Sequence, residues 1–244
     1  FLVGAGGHFC PVAQLMGAAL GRDEHAITAQ EIEVELSAEQ LRGCRVEPLL
    51  AELYFCADLE GYGWCVRKGS FLNVGLGRTD SHQLGAAVHS FWDWLRSSGR
   101  LPAGLTPKFK GHAFLQYGVS RRPLRGEQAL LIGDAAGLAY DLSGEGIRPA
   151  VESGLLAAQC IARAAGGAGA KALAIYETRI LQRFGRRPAS LRSPSAAGRW
   201  RCRVARLLVS NGPFARHIIL DRNFLHRHAA ALLPATVARL GGPA

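Results

Sequence analysis

The residues best suited to chemistry stand in one stretch near the middle of the chain, where a single acid is surrounded by glycines. Asp134 directly follows Gly133 at the end of a short apolar run, residues 129–132, and a loop with three further glycines comes next. An acid at the carboxyl end of a buried strand faces the crevice in which α/β sheets bind ligands. Glycines let the backbone bend sharply and let a ligand approach closely. The stretch therefore predicts a turn that hydrogen-bonds a bound small molecule.

A helix is predicted to begin near Gly146, because apolar and small residues recur at helical spacing after it. The residues of this stripe are Ile147, Val151, Gly154, Leu155, Ala158 and Ile161/Ala162. The N–H groups and the dipole at the start of such a helix favour an anionic or electron-rich partner.

This arrangement resembles the second flavin-contacting motif of FAD-dependent oxidoreductases with the p-hydroxybenzoate-hydroxylase-type fold, most closely that of the geranylgeranyl reductase group. The resemblance implies that Asp134 hydrogen-bonds the ribityl chain of FAD and that the Gly-Glu-Gly-Ile turn lies beside the isoalloxazine ring. The cofactor-binding residues expected here are Gly133, Asp134, Ala135, Gly137, Gly144, Glu145, Gly146 and Ile147. The alternative is an ordinary strand–turn–helix in which the acid is a capping residue. The loop also departs from the family, since Asp141 stands where relatives usually carry proline.

A second motif lies upstream, where Tyr62 and Trp64 precede the glycine pair of Gly75-Leu76-Gly77. It resembles the Tyr-x-Trp-x-Phe-Pro-(seven or eight residues)-Gly-x-Gly signature of geranylgeranyl reductases, although Val66-Arg67 replaces Phe-Pro. Residues 62 and 64 of a strand point to the same face. They would present two aromatic walls to an apolar substrate such as a prenyl chain. The alternative is that both are core aromatics of a half-buried strand.

The first 17 residues admit two interpretations. Gly4-Ala5-Gly6 after an apolar strand could open a dinucleotide-binding turn, but Phe9 occupies the third glycine of G-x-G-x-x-G, where helix and strand must pack closely. The resemblance favours the other interpretation, in which Gly4 and Gly6 close the pyrophosphate side of the FAD site and Ala5 replaces the usual acid. The family's ADP-binding βαβ unit is then expected upstream of Phe1, and the chain is predicted to be a fragment that needs this missing N-terminal segment.

Composition narrows the class of partner. The 244 residues carry a formal net charge of +10, which suits an anionic cofactor, an acidic substrate head or an anionic membrane surface. The sequence has neither a basic patch interleaved with aromatic residues nor the cysteine and histidine spacing of a zinc finger, so we do not expect it to bind nucleic acid. The six cysteines form no C-x-x-C pair, so we expect neither a metal site nor a disulfide framework.

The chain is predicted to be cytoplasmic, because no run approaches the ~18 apolar residues of a membrane span. The arginine-rich segment 185–206 leaves peripheral membrane contact open. A solvated outer helix is the favoured interpretation of that segment.

The predicted fold class is α/β (α+β), a partial three-layer FAD-binding domain with an inserted, mostly antiparallel β substrate domain and C-terminal helices. The expected boundaries are 1–20 and 121–165 for the FAD-binding parts, 21–120 for the substrate domain and 166–244 for the helical region. Strands are predicted at 27–36, 53–57, 64–67, 71–76 and 109–117. Helices are predicted from the Asp80-Ser81 cap to Gly99, at 173–184, and through Phe224, Leu225, Leu232 and Leu233.

The resemblance implies an FAD-dependent oxidoreductase in which reduced flavin passes hydride to a carbon–carbon double bond of an isoprenoid-type substrate. It leaves NADPH, NADH or another external electron donor open as the source of electrons. Cys10, Cys65 and His112 are the candidate proton donors. Two alternatives remain: a flavin-dependent monooxygenase of the same fold, and a non-catalytic chain that cannot bind FAD alone.

Overall fold

The computed structural model describes residues 1–20, 24–48, 50–165, 171–188 and 206–234. Contacts divide the chain into two compact units, of which the first joins Phe1–Ala26 to Phe114–Ala244 and the second is Ile27–Ala113. The strands are β1 (Leu2–Gly4), β2 (Ile27–Glu35), β3 (Glu52–Phe55), β4 (Gly61–Lys68), β5 (Phe71–Arg78), β6 (Lys110–Phe114) and β7 (Ala129–Leu131). The helices are α1 (Pro11–Leu15), α2 (Ala38–Gly43), α3 (Leu84–Ser97), α4 (Ile147–Arg163) and α5 (Lys171–Phe184).

The second unit is built on a five-stranded sheet in the order β3-β4-β5-β2-β6. Strands β3, β4, β5 and β2 are antiparallel neighbours. Alternating polar and apolar residues predict such half-buried strands, and the predicted strand positions are confirmed. Helix α3 covers one face, and its apolar stripe packs in clusters with the buried strand residues. The buried residues of this core include Cys65, Leu72, Val74, Leu76, Val88, Trp92 and Leu95.

The first unit contains two parallel strands, β1 and β7, in the register Leu2↔Ala129 to Gly4↔Leu131. Helices α4 and α5 pack against each other beside them. The hydroxyl of Tyr176 in α5 is completely buried and donates to the Leu131 carbonyl at 2.7 Å, which fastens the helix to the end of β7. The mixed α/β class predicted from the sequence is confirmed.

Helix α4 begins where the sequence predicts, but the stripe of apolar and small residues that predicts it is not the buried face of the helix. Ile147 and Val151 are 79% and 57% exposed. The buried face instead carries Pro149, Glu152, Ser153, Leu156, Ala157 and Cys160. Glu152, at the centre of this face, is a charged residue type, so a hydropathy pattern does not identify the face as buried. Glu152 is buried because two arginines pair with it, Arg148 at 2.9 Å and Arg183 at 2.7 Å.

The predicted C-terminal helix is also wrong beyond Phe224. A helical turn at Gly212–Phe214 continues into a π-helix at Ala215–Phe224, and residues 225–233 are not helical. Side chains of α4 and α5 take up the backbone carbonyls that a helix would use. Arg148 donates to the carbonyls of His226 and Ala229, and Arg183 donates to that of Ala230. Most of the predicted basic segment, at 189–205, lies outside the described residues.

Candidate functional site

The two glycine-containing turns singled out from the sequence lie side by side in the first unit. Because β1 and β7 are parallel, their carboxyl ends meet at one edge of the sheet. The Ile132 N–H donates to the Gly4 carbonyl at 3.0 Å, directly before Gly133. Gly4 is buried, whereas Ala5 and Gly6 are exposed beyond the strand. The structure therefore brings Gly4 next to the turn that carries Asp134, and Gly6 follows in the exposed turn after β1.

That turn is a short 3₁₀ helix at Gly133–Ala136, and glycines bracket it in left-handed conformations. Gly133 has φ 53° and Gly137 has φ 64°, values that other residues rarely adopt. A side chain at 133 would place its Cβ 2.9 Å from that of Ala150 in α4. The Gly133 N–H donates to the buried Ser153 hydroxyl of the same helix at 3.0 Å. The strand, the turn and α4 are thus packed at backbone distance.

The carboxylate of Asp134 lies against the residue that precedes α4. A Cβ on Gly146 would stand 3.0 Å from the Asp134 Oδ1. Glycine at 146 therefore lets the backbone at the start of α4 approach an acid that is only partly buried. Ile147 and Leu142, which are 79% and 75% exposed, add apolar surface on the same loop and helix start. An acceptor for hydroxyl groups and a surface for a flat apolar ring are both present.

Glu145 has a structural partner in the same loop. Its Oε1 accepts from the Arg148 N–H at 2.8 Å, which caps the first turn of α4. Burial raises the pKa of this carboxyl, against backbone hydrogen bonds from Arg148 and Ile147 that lower it. A second glycine fits the loop closely, since a Cβ on Gly144 (φ 66°) would lie 2.8 Å from the ring of Phe114.

Asp141 fixes the loop by a contact to the segment before it. Its Oδ1 accepts from the Gly118 N–H at 2.6 Å. A Cβ at 118 would stand 2.7 Å from the Asp141 carboxylate, so glycine is what leaves room for it.

Sequence reasoning missed a buried charged cluster beneath the two turns. The side chain of Arg122 is 1% exposed and pairs with both oxygens of Glu24 at 2.7 Å. It also donates to the His8 Nδ1 at 3.3 Å and to the carbonyl oxygens of Asp134 and Ala135 at 3.3 and 3.2 Å. Burial and the arginine charge lower the pKa of His8, against Glu24, which raises it. No local pattern reveals this cluster, because Arg122 and Glu24 are 98 residues apart.

The three proton-donor candidates occupy different surroundings. Cys10 is buried next to the β1 turn; burial would raise the pKa of its thiol, but backbone hydrogen bonds from Ala13, Gly6 and Val12, together with Arg122, lower it. Cys65 is completely buried in the second unit, where burial raises its pKa to about 12. His112 is exposed on β6. The five described cysteines are all free thiols.

Tyr62 and Trp64 belong to the second unit and share the sheet face opposite α3. Gly63 and Cys65, which alternate with them, face the helix side, where a Cβ on Gly63 would lie 2.6 Å from the ring of Phe91. The Tyr62 and Trp64 rings are half-buried, with centroids 6.1 Å apart. The Trp64 Nε1 donates to the Asn73 Oδ1 at 2.6 Å, which fixes the indole on the sheet.

The described residues contain no group of three or more His, Cys, Asp or Glu side chains that could hold a metal ion. Within the same part of the chain, no helix has both the length and the apolar character needed to cross a bilayer.

The sequence and the structure are both similar to those of proteins named as geranylgeranyl reductases or as reductase-like. No family model matches the chain. Over 162 residues it is 30% identical to the chloroplastic geranylgeranyl diphosphate reductase of Nicotiana tabacum, which covers 66% of the chain and 33% of the relative. The chain thus spans about a third of that protein's length.

Two solved structures share the fold. A geranylgeranyl bacteriochlorophyll reductase-like protein from Thermoplasma acidophilum superposes with a TM-score of 0.53 at 24% identity, covering 66% of this chain and 40% of that one. PqsL, a probable FAD-dependent monooxygenase from Pseudomonas aeruginosa, gives a TM-score of 0.51 at 18% identity, with 75% and 51% covered.

Proposed function

Because the chain belongs to the geranylgeranyl reductase group of FAD-dependent oxidoreductases, we propose that it forms part of an FAD site in an enzyme that reduces carbon–carbon double bonds of an isoprenoid-type substrate. The observation that carries the proposal is the meeting of the Gly4-Ala5-Gly6 turn with the Gly133-Asp134 turn at the carboxyl ends of β1 and β7. Ligands of open α/β sheets bind at this edge.

The residues present fit the cofactor. Gly146 has no side chain to crowd the partly buried Asp134 carboxylate, and a carboxylate is a strong acceptor for the hydroxyls of a ribityl chain. The exposed side chain of Ile147 offers apolar contact to a flat ring. We assign Gly133, Asp134, Ala135, Gly137 and the Gly144–Ile147 turn to this half of the site. The ADP half is assigned to a further segment of the same fold.

FAD, when bound, would supply the two-electron redox chemistry, with NADPH, NADH or another donor as the source of electrons. The chain's own residues bind and orient. Tyr62 and Trp64 are assigned to the substrate, because they form an aromatic pair on a sheet face that α3 does not cover. An apolar chain gains from burial against such rings in proportion to the area removed from water.

The likeness to PqsL supports a second candidate, an oxygen-dependent hydroxylase of the same fold. Anaerobic turnover separates the two. A reductase converts a prenylated substrate with a reduced donor in the absence of oxygen, whereas product that requires stoichiometric oxygen uptake would overturn the reductase assignment.

Flavin binding itself is tested by the visible spectrum of the purified chain, recorded with and without added FAD. The same measurement is repeated with an ADP-binding segment of a relative fused upstream. We expect the purified fused protein to show flavin absorption bands. We also expect the absorption bands of free FAD to shift when the chain alone is added to it. Bands that are missing from both proteins would contradict an FAD site here.

A further inference from the structure

Three successive carbonyls of the Asp134 turn accept hydrogen bonds from two arginine side chains that lie beneath it. Arg122 Nη1 donates to the carbonyl oxygens of Asp134 and Ala135 at 3.3 and 3.2 Å. Arg187 Nη2 donates to the carbonyl of Ala136 at 2.8 Å. Residues 134–136 of the turn are therefore all held by cationic donors.

Arg122 also ties this turn to the one that follows β1. Its second terminal nitrogen donates to the His8 Nδ1 at 3.3 Å, and its remaining donors form a two-pronged pair with Glu24. The guanidinium is planar, so its contacts fix each other's directions. One buried side chain thus sets the spacing of the two turns that together make the proposed cofactor edge.

Arg187 completes the arrangement from the other side. Its Nη1 donates to the backbone carbonyl of Arg122 at 2.7 Å, and its guanidinium lies 4.9 Å from the centroid of the Tyr117 ring. Burial lowers the pKa of this arginine. Its two terminal nitrogens join the segment that carries Arg122 to the last residue of the turn.

We propose that Arg122, supported by Arg187, is a positioning residue for FAD: it fixes the backbone at residues 134–136 relative to the β1 turn and thereby sets the affinity of the site. The inference rests on the proposed function. Without the arginine, two carbonyls and the Glu24 carboxylate lose a buried donor, and the loss of a hydrogen-bond donor from a buried polar group destabilises the arrangement that it held. The turn can then relax away from the position that presents the Asp134 carboxylate.

The first test needs no cofactor. Hydrogen exchange of the peptide covering residues 132–140 is compared in the wild-type chain, Arg122→Met and the matched control Arg78→Met. Arg78 is also buried and pairs with both oxygens of a carboxylate, that of Asp58, but it lies in the second unit. We expect faster exchange at 132–140 in Arg122→Met alone. Equal exchange in all three chains would overturn the inference.

The second test measures FAD affinity by quenching of flavin fluorescence. We expect Arg122→Met to raise the Kd at least about tenfold, the size that outer-shell changes reach in metal sites, and Arg78→Met to leave it unchanged. Arg122→Lys, which keeps the charge but not the fork, should fall between them. A folded Arg122→Met chain with the wild-type Kd would overturn the inference.

Where Arg122→Met does not fold, Arg187→Met provides the same test, because it removes the contacts to Ala136, to the Arg122 backbone and to the Tyr117 ring but keeps the buried pair of Arg122 with Glu24. Absence of FAD binding both by the wild-type chain and by the same chain fused to the upstream ADP-binding segment would count against the proposed function. The exchange measurement then decides by itself whether Arg122 fixes the turn.

Discussion

Trp64 stands directly opposite Gly75 in the β4–β5 hairpin, and its indole covers the space that a side chain at position 75 would occupy. Tyr62 stands opposite Gly77 in the same register. The aromatic pair and the glycine pair of this motif are therefore two sides of one hairpin. Their separation along the chain follows from the register, because side chains directly opposite each other share a face.

Replacing Gly75 by valine should push the indole of Trp64 off the sheet and break its bond to Asn73. Overpacking of this kind costs about 1–3 kcal/mol of the free energy of unfolding. Urea denaturation followed by tryptophan fluorescence measures both the loss and the changed environment of the ring.

Gly85→Ala is the matched control, since no atom lies within 4 Å of where its Cβ would stand and it lies in α3. Alanine at position 85 should raise the free energy of unfolding by up to about 1 kcal/mol. If both variants lost the same stability, Gly75 would not be making room for the indole.

Glu152 holds the non-helical segment after the π-helix onto α4 and α5. Its carboxylate is 1% exposed and accepts from Arg148, from Arg183 and from the Leu232 N–H at 3.1 Å. Glu152→Leu leaves two arginines without their partner, and breaking a buried pair costs about 3–5 kcal/mol. Urea denaturation gives the loss, and limited proteolysis after residue 225 should become faster.

Glu177→Gln serves as the control, because its pair with Arg125 is exposed and such pairs contribute roughly 0–1 kcal/mol. The pH dependence gives a second check. Burial would raise the pKa of Glu152, but the hydrogen bonds from Arg183 and Arg148 lower it below its usual 4.5. The unfolded chain therefore binds this proton first, and stability should fall as the pH drops below about 4.5. A Glu152→Leu chain as stable as Glu177→Gln would contradict the role assigned to Glu152.

His8 should make stability depend on pH in a higher range. Burial and Arg122 lower its pKa below the usual 6.5. Protonation is then easier in the unfolded chain, so the free energy of unfolding should decrease as the pH falls below 6.5. Urea denaturation at a series of pH values from about 7.5 to about 5, the range in which histidines titrate, measures the slope of the free energy of unfolding against pH.

His8→Gln should make that slope smaller, because it removes the group whose pKa is lowered in the folded chain. The remaining slope is expected to include His226, whose pKa is lowered by burial and by Arg148. A slope that His8→Gln leaves unaltered would show that His8 does not titrate as its surroundings require.

The strands of the second unit could be predicted from the sequence, because apolar and polar residues alternate along a half-buried strand and this alternation is visible in neighbouring positions. The start of α4 could be predicted for a similar reason, since glycines and an apolar helix follow the acid. Its buried face could not, because Glu152 has the residue type of a solvent-exposed position and its two arginine partners are visible only in three dimensions.

The cofactor edge shows the same division. Gly133-Asp134 and the Gly144–Gly146 loop stand out in the sequence through glycine spacing. Arg122 and His8 do not, since the chain brings them together across 114 residues. Local patterns encode turns and periodic faces, whereas buried charge clusters depend on which distant segments meet.

Asp134 provides the sharpest test of the proposed cofactor site. Its carboxylate is only partly buried and lies beside Gly146, and a hydrogen bond to a charged acceptor contributes about 1.5–3 kcal/mol. Asp134→Ala should therefore weaken FAD binding by a factor of roughly 10 to 150, since about 1.4 kcal/mol corresponds to tenfold in Kd. Asp134→Asn, which keeps one acceptor oxygen but loses the charge, should have a Kd between those of Asp134→Ala and the wild type.

Asp141→Asn is the control, because that side chain accepts from Gly118 and is not assigned to the cofactor. Fluorescence titration with FAD and urea denaturation of each variant separate affinity from stability. A Kd that changes equally in Asp134→Ala and Asp141→Asn would place the effect in the loop as a whole and count against a direct bond from Asp134.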